Sequence, residues 1–145
     1  MAYVCVNYKN NSSAPEGNWV CSPSVNLQPS REAPASETTG HPNYCGQCVS
    51  FVRTACPTLP PTGAWKKGAL VKGNESITAG TVIATFNAAD HYQGHAAIYD
   101  GQTDKGINVY DQWVTPPNPK PIGPRLLRWA AHGNSNNGDN FYVVN

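Results

Sequence analysis

Charge is scarce in this chain. Only 13% of its 145 residues are Asp, Glu, Lys or Arg, and the formal net charge is +1. A nucleic-acid binder carries a basic face or stripe. None is visible, and the densest basic cluster, Lys66, Lys67 and Lys72, reads as a small solvated patch. Long apolar runs are lacking too, so no segment is expected to span a bilayer. The opening MAYVCVNYKN has no basic stretch followed by an apolar one, and a secretory signal is not expected there. No internal repeat is present. Nucleic acid and membrane are therefore not expected as partners.

What the chain does have is five cysteines, 13 glycines and 13 prolines. A chain this long buries a real core without staples. Cysteines beside so few charges point to an oxidising, extracytoplasmic setting. Together with the absent leader, this suggests a protein made in the cytoplasm and exported by a route that needs no cleaved signal. The plainer reading is a cytosolic protein with several buried thiols.

The simplest organisation is one domain over residues 1–145, with an irregular segment at 1–43 and the chemistry at 44–113. AYVCVNY reads as a short strand. Pro15 to His41, rich in Pro, Ser, Thr and Glu, reads as a surface loop with Asn18 to Val20 packed. That loop either shapes a groove or decorates a terminus. Residues 46–56 carry an apolar stripe at helical spacing, and Pro57 ends it. TLPPTG is a loop. Strands follow at Gly80–Phe86, His95–Tyr99, Ile107–Val114 and Phe141–Val144. TPPNPKPIGP reads as a rigid proline-rich loop. A helix followed by an antiparallel sheet is an α+β domain.

NYCGQCVSFVRTACP concentrates the reactive side chains. A redox Cys-x-x-Cys sits between a strand and a helix in a βαβ context, and neither a preceding strand nor a parallel unit is present. A zinc site built from Cys45, Cys48, His91 and His95 would separate its ligand pairs by more than forty residues, far beyond small-site spacing. The third reading is a cysteine nucleophile with a histidine base and an orienting group. Cys48 lies in the first helical turn, where the dipole favours thiolate. Cys45 lies before the helix. Cys56 lies at its far end, where the dipole opposes thiolate.

Of the four histidines, His41, His91 and His132 lie in loops. His95 opens a small-residue strand directly after Gly94, which permits close approach. If the hairpin is centred on Thr103, Tyr99 faces Ile107, Ala97 faces Val109 and His95 faces Asp111. A register shift of two keeps Asp111 on the His95 face as a diagonal neighbour. Asn108 has the opposite parity.

Cys48 in CGQCVSFVR, His95 in GHAAIYDG and Asp111 in INVYDQW together resemble the CHAP and NlpC-type amidases of the papain-like cysteine peptidase superfamily. The match runs from about Tyr44 to Trp113, in the order Cys, His, acid. It implies a papain-like, NlpC-like fold in which a helix bearing Cys48 packs on a sheet bearing His95 and Asp111. Trp113 stands where that pattern often has Asn and is expected to wall the cleft. Residues 1–43 have no counterpart there. The small leaderless form resembles the amidase effectors of type VI secretion.

That resemblance implies hydrolysis of peptidoglycan stem-peptide amides in the periplasm of a target bacterium, delivery by the type VI apparatus and a cognate immunity protein. The bond is either γ-D-glutamyl–diaminopimelate or the diaminopimelate–D-alanine cross-link. Cys48 attacks, His95 transfers the proton and Asp111 orients the imidazole. The Cys48 N–H and one further donor, from among Asn43, Tyr44 and Gln47, hold the oxyanion. No metal and no cofactor is expected. The rival readings are a non-catalytic wall-binding module on the same fold and a zinc-stabilised interaction protein.

With Cys48 kept free, Cys5, Cys21, Cys45 and Cys56 allow three pairings, and at least one disulfide is expected after export. Asn11-Ser-Ser13 and Asn74-Glu-Ser76 match a glycosylation acceptor and read as polar loops.

Overall fold

A computed structural model describes residues 1–34, 43–115 and 117–145. His41, the end of the 15–41 loop and Pro116 of the proline-rich stretch lie outside the described residues. One α-helix, α1 (Cys48–Ala55), and six strands are found among them: β1 (Lys67–Leu70), β2 (Val82–Phe86), β3 (Tyr92–Gln102), β4 (Gly106–Trp113), β5 (Lys120–Arg128) and β6 (Phe141–Val144). The strands form one antiparallel sheet in the order β1-β6-β2-β3-β4-β5. The architecture is α+β.

Helix α1 forms where the apolar stripe lies. Cys48, Phe51, Val52 and Ala55 are buried at positions i, i+3, i+4 and i+7. They pack with Ala84, Ala96, Ile98 and Tyr110 on one face of the sheet. Strand alternation sends Ile83, Ala97, Tyr99, Ile107 and Val109 to the other face, with Leu127, Phe141 and Val143. Fully burying each large aliphatic or aromatic side chain here contributes about 1.5–3 kcal/mol relative to exposure.

The β3–β4 register differs from the expected one. Tyr99 pairs with Val109 and Ile98 with Tyr110, and only past an irregularity does Gln102 pair with Ile107. Gly101, at φ +108°, lies within that irregularity. The turn closes around Asp104 and Lys105, with Thr103 N–H donating to Gly106, which moves the pairing by three residues; the bulge takes back one, and the net slip is two. Carried along the strands, this register sets Ala97 opposite Asp111 and makes His95 its diagonal neighbour.

Two further expectations are corrected. The second half of TPPNPKPIGP is not loop but the start of β5, in which Pro124 pairs with Tyr110. Because β5 is a sheet edge, prolines that cannot donate to a ladder are tolerated there. AYVCVNY forms no strand of its own: Val4 makes an isolated bridge to Thr81, with Cys5 N–H donating to Gly80 and Val82 N–H donating to Tyr3.

The segment before α1 is tied to the sheet. Asn18, Trp19 and Val20 are buried. The fully buried Gln112 amide accepts from Val20 N–H (3.1 Å) and donates to the carbonyls of Val20 (2.9 Å) and Gln47 (2.8 Å). A disulfide joins Cys21 to Cys45. Gly46, at φ +79°, packs so closely on Val114 that a Cβ would sit 2.6 Å from its side chain. The start of α1 is thereby held from both sides.

Candidate active site

Cys48 is the first residue of α1, so its backbone N–H has no intrahelical acceptor and points beyond the helix start. Its thiol is buried at the back of a cleft of about 500 Å³ walled by Tyr44, Gln47, Tyr92 and Trp113. Three groups of β3 meet the sulfur. The Tyr92 hydroxyl lies 3.4 Å from Sγ, the His95 ring adjoins it, and the Ala96 N–H donates to it.

His95 is fully buried. Its Nε2 lies 2.7 Å from Asp111 Oδ2, which leaves Nδ1, without a hydrogen-bond partner among the described residues, available to the thiol. Trp113 packs edge-on to the imidazole, with centroids 5.2 Å apart. A bulge aims the ring. Ala84 pairs with Ala96, yet Phe86 pairs with Tyr92, so Thr85 alone spans Gln93 to His95. The buried Thr85 hydroxyl donates to Gln93 carbonyl (2.5 Å) and accepts from His95 N–H (3.0 Å). Gly94, at φ +114°, makes this possible, since a Cβ there would sit 2.3 Å from Thr85 Oγ1. Bulges that redirect a side chain are common beside reactive sites.

Asp111 is also fully buried, and cations surround it. Its Oδ2 accepts from Arg125 Nε at 2.9 Å and lies 2.7 Å from the terminal guanidinium nitrogen Nη2. Lys120 Nζ lies 3.2 Å from Oδ1 and donates to the carbonyls of Asp111, Pro121 and Gly123. Arg125 also approaches His95 Nε2 at 3.1 Å and donates to Asn136 Oδ1 at 3.2 Å.

The charges follow from these contacts. Burial pushes the Cys48 thiol up, but the His95 charge and hydrogen bonds from His95, Tyr92 and Ala96 outweigh it and leave the thiol below its ordinary value. Burial likewise works against the His95 imidazolium. The Cys48 thiolate and Asp111 overcome it and hold His95 at about 9. Asp111 is kept well below the usual carboxylate range: burial opposes ionisation, and His95, Arg125 and Lys120 more than offset it. Cys48 and His95 thus favour a thiolate–imidazolium pair.

Of the other residues singled out in the sequence, Gln47 caps α1 and its carbonyl accepts from Gln112 and Phe51. Tyr44, at φ +49°, accepts from the Ser50 hydroxyl at 2.7 Å through its carbonyl. Asn43 accepts from Ser22 N–H. Cys45 is bonded to Cys21, which removes it from any Cys-x-x-Cys pair, redox or metal. His91 is exposed on the far side of the Asn87 turn. Asn11 and Asn74 close local turns by accepting from Ser13 N–H and Ser76 N–H.

Arg125, Lys120 and Thr85 did not stand out in the sequence. The signal for the first two is a pair of cations one strand-length beyond Asp111, hidden by the prolines among them.

The sequence matches the profile of the family described as "Domesticated amidase effector 2" over residues 10–144. The chain belongs to the domesticated amidase effector 2 family. It is 44% identical over 103 residues to domesticated amidase effector 2 of Ixodes scapularis, covering 68% of this chain and 70% of that protein. It is 33% identical over 112 residues to the type VI secretion amidase effector 2 protein of Salmonella typhi, covering 68% of this chain and 84% of that protein. Among solved structures, type 6 secretion amidase effector 2 superposes with a TM-score of 0.55 at 31% identity, covering 68% of this chain and 79% of the other. The resemblance to type VI amidase effectors thus holds across family, sequence and fold.

Proposed function

We propose that the chain is a papain-like cysteine hydrolase that cuts an amide bond of peptidoglycan stem peptides. One observation carries the reading: Cys48 opens α1 beside a buried His95 whose far nitrogen lies 2.7 Å from a buried Asp111. Membership of an amidase effector family supports the substrate class. The proposal takes residues 1–145 as one amidase domain with 44–113 as its core, and β5 supplies the cations that hold Asp111.

The steps follow from the geometry. The Cys48 thiolate attacks the carbonyl carbon, and the carbonyl electron pair becomes an oxyanion. The Cys48 N–H donates to that oxygen, with a second donor from among Asn43, Tyr44 and Gln47. His95 gives its Nδ1 proton to the departing amine, and the C–N bond breaks. The neutral imidazole then takes a proton from water, which attacks the thioester and restores the Cys48 thiolate and the charged ring. Asp111 keeps Nε2 protonated throughout, because Arg125 and Lys120 hold it ionised. Trp113 walls the cleft. None of these steps calls for a metal or a cofactor.

The biological setting proposed is that of the effector relatives: delivery by a type VI apparatus, action in the periplasm of a target bacterium and an immunity protein that plugs the cleft. The Cys21–Cys45 disulfide fits an oxidising compartment. The test is digestion of purified sacculi with mass spectrometry of the products. New diaminopimelate–D-alanine or γ-D-glutamyl–diaminopimelate termini are expected from wild-type protein and not from Cys48→Ala. Equal release by the variant would overturn the proposal.

A further inference from the structure

The mechanism uses His95 among the three groups that β3 presents to the nucleophile, and the Ala96 N–H is a fixed backbone donor to the sulfur. It leaves the third, Tyr92, unused. Its hydroxyl lies 3.4 Å from Cys48 Sγ and 3.3 Å from the Gly94 carbonyl. Its ring is fixed edge-on against Trp65, with centroids 5.0 Å apart. Trp65 is itself anchored by an indole N–H bond to Pro60 carbonyl at 2.7 Å. The phenol is therefore held in place, with only its proton free to turn.

A hydroxyl has one proton and two acceptors on offer here. While Cys48 is a thiol, its S–H donates to the phenol oxygen and the phenol donates to Gly94. Once Cys48 is a thiolate it only accepts, and a charge-assisted bond outcompetes the neutral one to the carbonyl. We propose that Tyr92 is a catalytic residue that stabilises the Cys48 thiolate by turning its O–H from the Gly94 carbonyl to Sγ as the thiol proton leaves. The thiol proton itself goes to His95, and the phenol keeps its own. When the thioester forms, the Tyr92 proton returns to Gly94. When the thiolate is released, it turns back to sulfur. This inference rests on the reading of Cys48 as the nucleophile.

The surroundings suit that role. The Tyr92 phenol is held well above its ordinary pKa, chiefly by burial and then by Cys48, so it does not compete with Cys48 to ionise. The other groups that bear on Sγ are His95 and the Ala96 N–H on the same strand, with Asp111 and Arg125 acting through His95. Arg53 lines the cleft from α1, and its Nε is engaged by Leu59 carbonyl at 3.4 Å.

The test is Tyr92→Phe, which keeps the ring and removes the hydroxyl. Thiolate ultraviolet absorbance is titrated against pH and read as the difference from Cys48→Ser protein, so that Cys5 and Cys56 cancel. The midpoint of Cys48 ionisation is expected to rise by about one pH unit. The acid limb of kcat/KM on a stem peptide should rise with it, while the alkaline limb stays in place. Trp65→Phe, which disturbs the wall and leaves the hydroxyl, is expected to shift the midpoint little. A Tyr92→Phe titration superimposable on wild type, or an equal shift with Trp65→Phe, overturns the inference. The titration needs no substrate. A chain that cleaves no peptidoglycan yet shows the shift refutes the proposed function and leaves the role of Tyr92 standing.

Discussion

The two ends of helix α1 each bury a free thiol, and they are chemically opposite. At the N-terminus, Cys48 meets an imidazole, a phenol and a backbone N–H. At the C-cap, Cys56 meets the thiol of Cys5. The two residues are almost equally exposed, at 4% and 3%. Burial alone therefore does not distinguish them; their partners do. The imidazole can take a proton and keep it as a charge, so the Cys48 proton has somewhere to go. The Cys5–Cys56 contact only divides one proton's worth of stabilisation: Cys56 is lowered by its bond with Cys5, and Cys5 is raised well above the ordinary thiol range by the same bond and then by burial. The dipole adds to the contrast, favouring thiolate at the first turn and opposing it at the last.

The largest expected effect would break the comparison outright if it failed. Cys48→Ser should lower sacculus hydrolysis by a factor on the order of 10⁴ or more, while Cys56→Ser leaves the rate at the wild-type value. Comparable losses from both, with melting temperatures unchanged, would mean that position on the helix does not decide the chemistry.

Next in size is Asp111, behind His95 in the proposed mechanism. Asp111→Asn is expected to lower kcat by about 10²- to 10⁴-fold, because an amide cannot hold His95 in its tautomer or balance its charge. Arg125→Met should cost less at neutral pH and show itself in acid. Asp111 is depressed in the folded state, so its contribution to stability is present above the unfolded carboxylate value and lost as pH falls through the folded one. Removing Arg125 raises the folded value, and the acid unfolding midpoint, followed by tryptophan fluorescence, should move to higher pH.

Gly94→Ala separates geometry from charge. The left-handed backbone and the 2.3 Å approach to Thr85 should destabilise the fold by about 1–3 kcal/mol and reduce activity by displacing His95. Thr85→Ser should retain activity and Thr85→Val lose part of it. Equal activity for Thr85→Ser and Thr85→Val would show that the hydroxyl does not set the bulge.

The smallest effect is a pH limb. His95 is raised to about 9, so hydrolysis should persist through neutral pH and fall as pH rises through that value. Its stabilising contribution is complete below the unfolded histidine value of about 6.5 and is lost over the same rise. Cys56→Ser should leave the limb in place, and a limb that moved with it would join the two ends of the helix.

Helix α1 was legible because its signals are local: an apolar stripe at helical spacing and Pro57 just past its end. Strand β6 was read at its observed bounds, and β2 and β4 to within two residues of theirs. Strands β1 and β5 were missed. Lys67–Leu70 is short and mostly exposed, and β5 contains prolines that argue for a loop unless the strand is known to be an edge. The hairpin register was set two residues off because neither the turn at Asp104 and Lys105 nor the bulge at Gly101 can be seen from alternation. His95 and Asp111 nonetheless lie within hydrogen-bonding distance, since a slip of two preserves the face.

The sequence by itself determined the periodic elements and the choice of Cys48 as the thiol at a helix start. Both depend on neighbours within a few positions along the chain. Which cysteines pair, and which cations reach Asp111, was decided only by the tertiary structure. Cys21 and Cys45 are 24 residues apart and meet because Gln112 docks Val20 beside the helix start. Lys120 and Arg125 reach Asp111 because β5 adds to β4 at the sheet edge. Such contacts follow from how the strands stack and close their loops, which spacing along the chain does not encode.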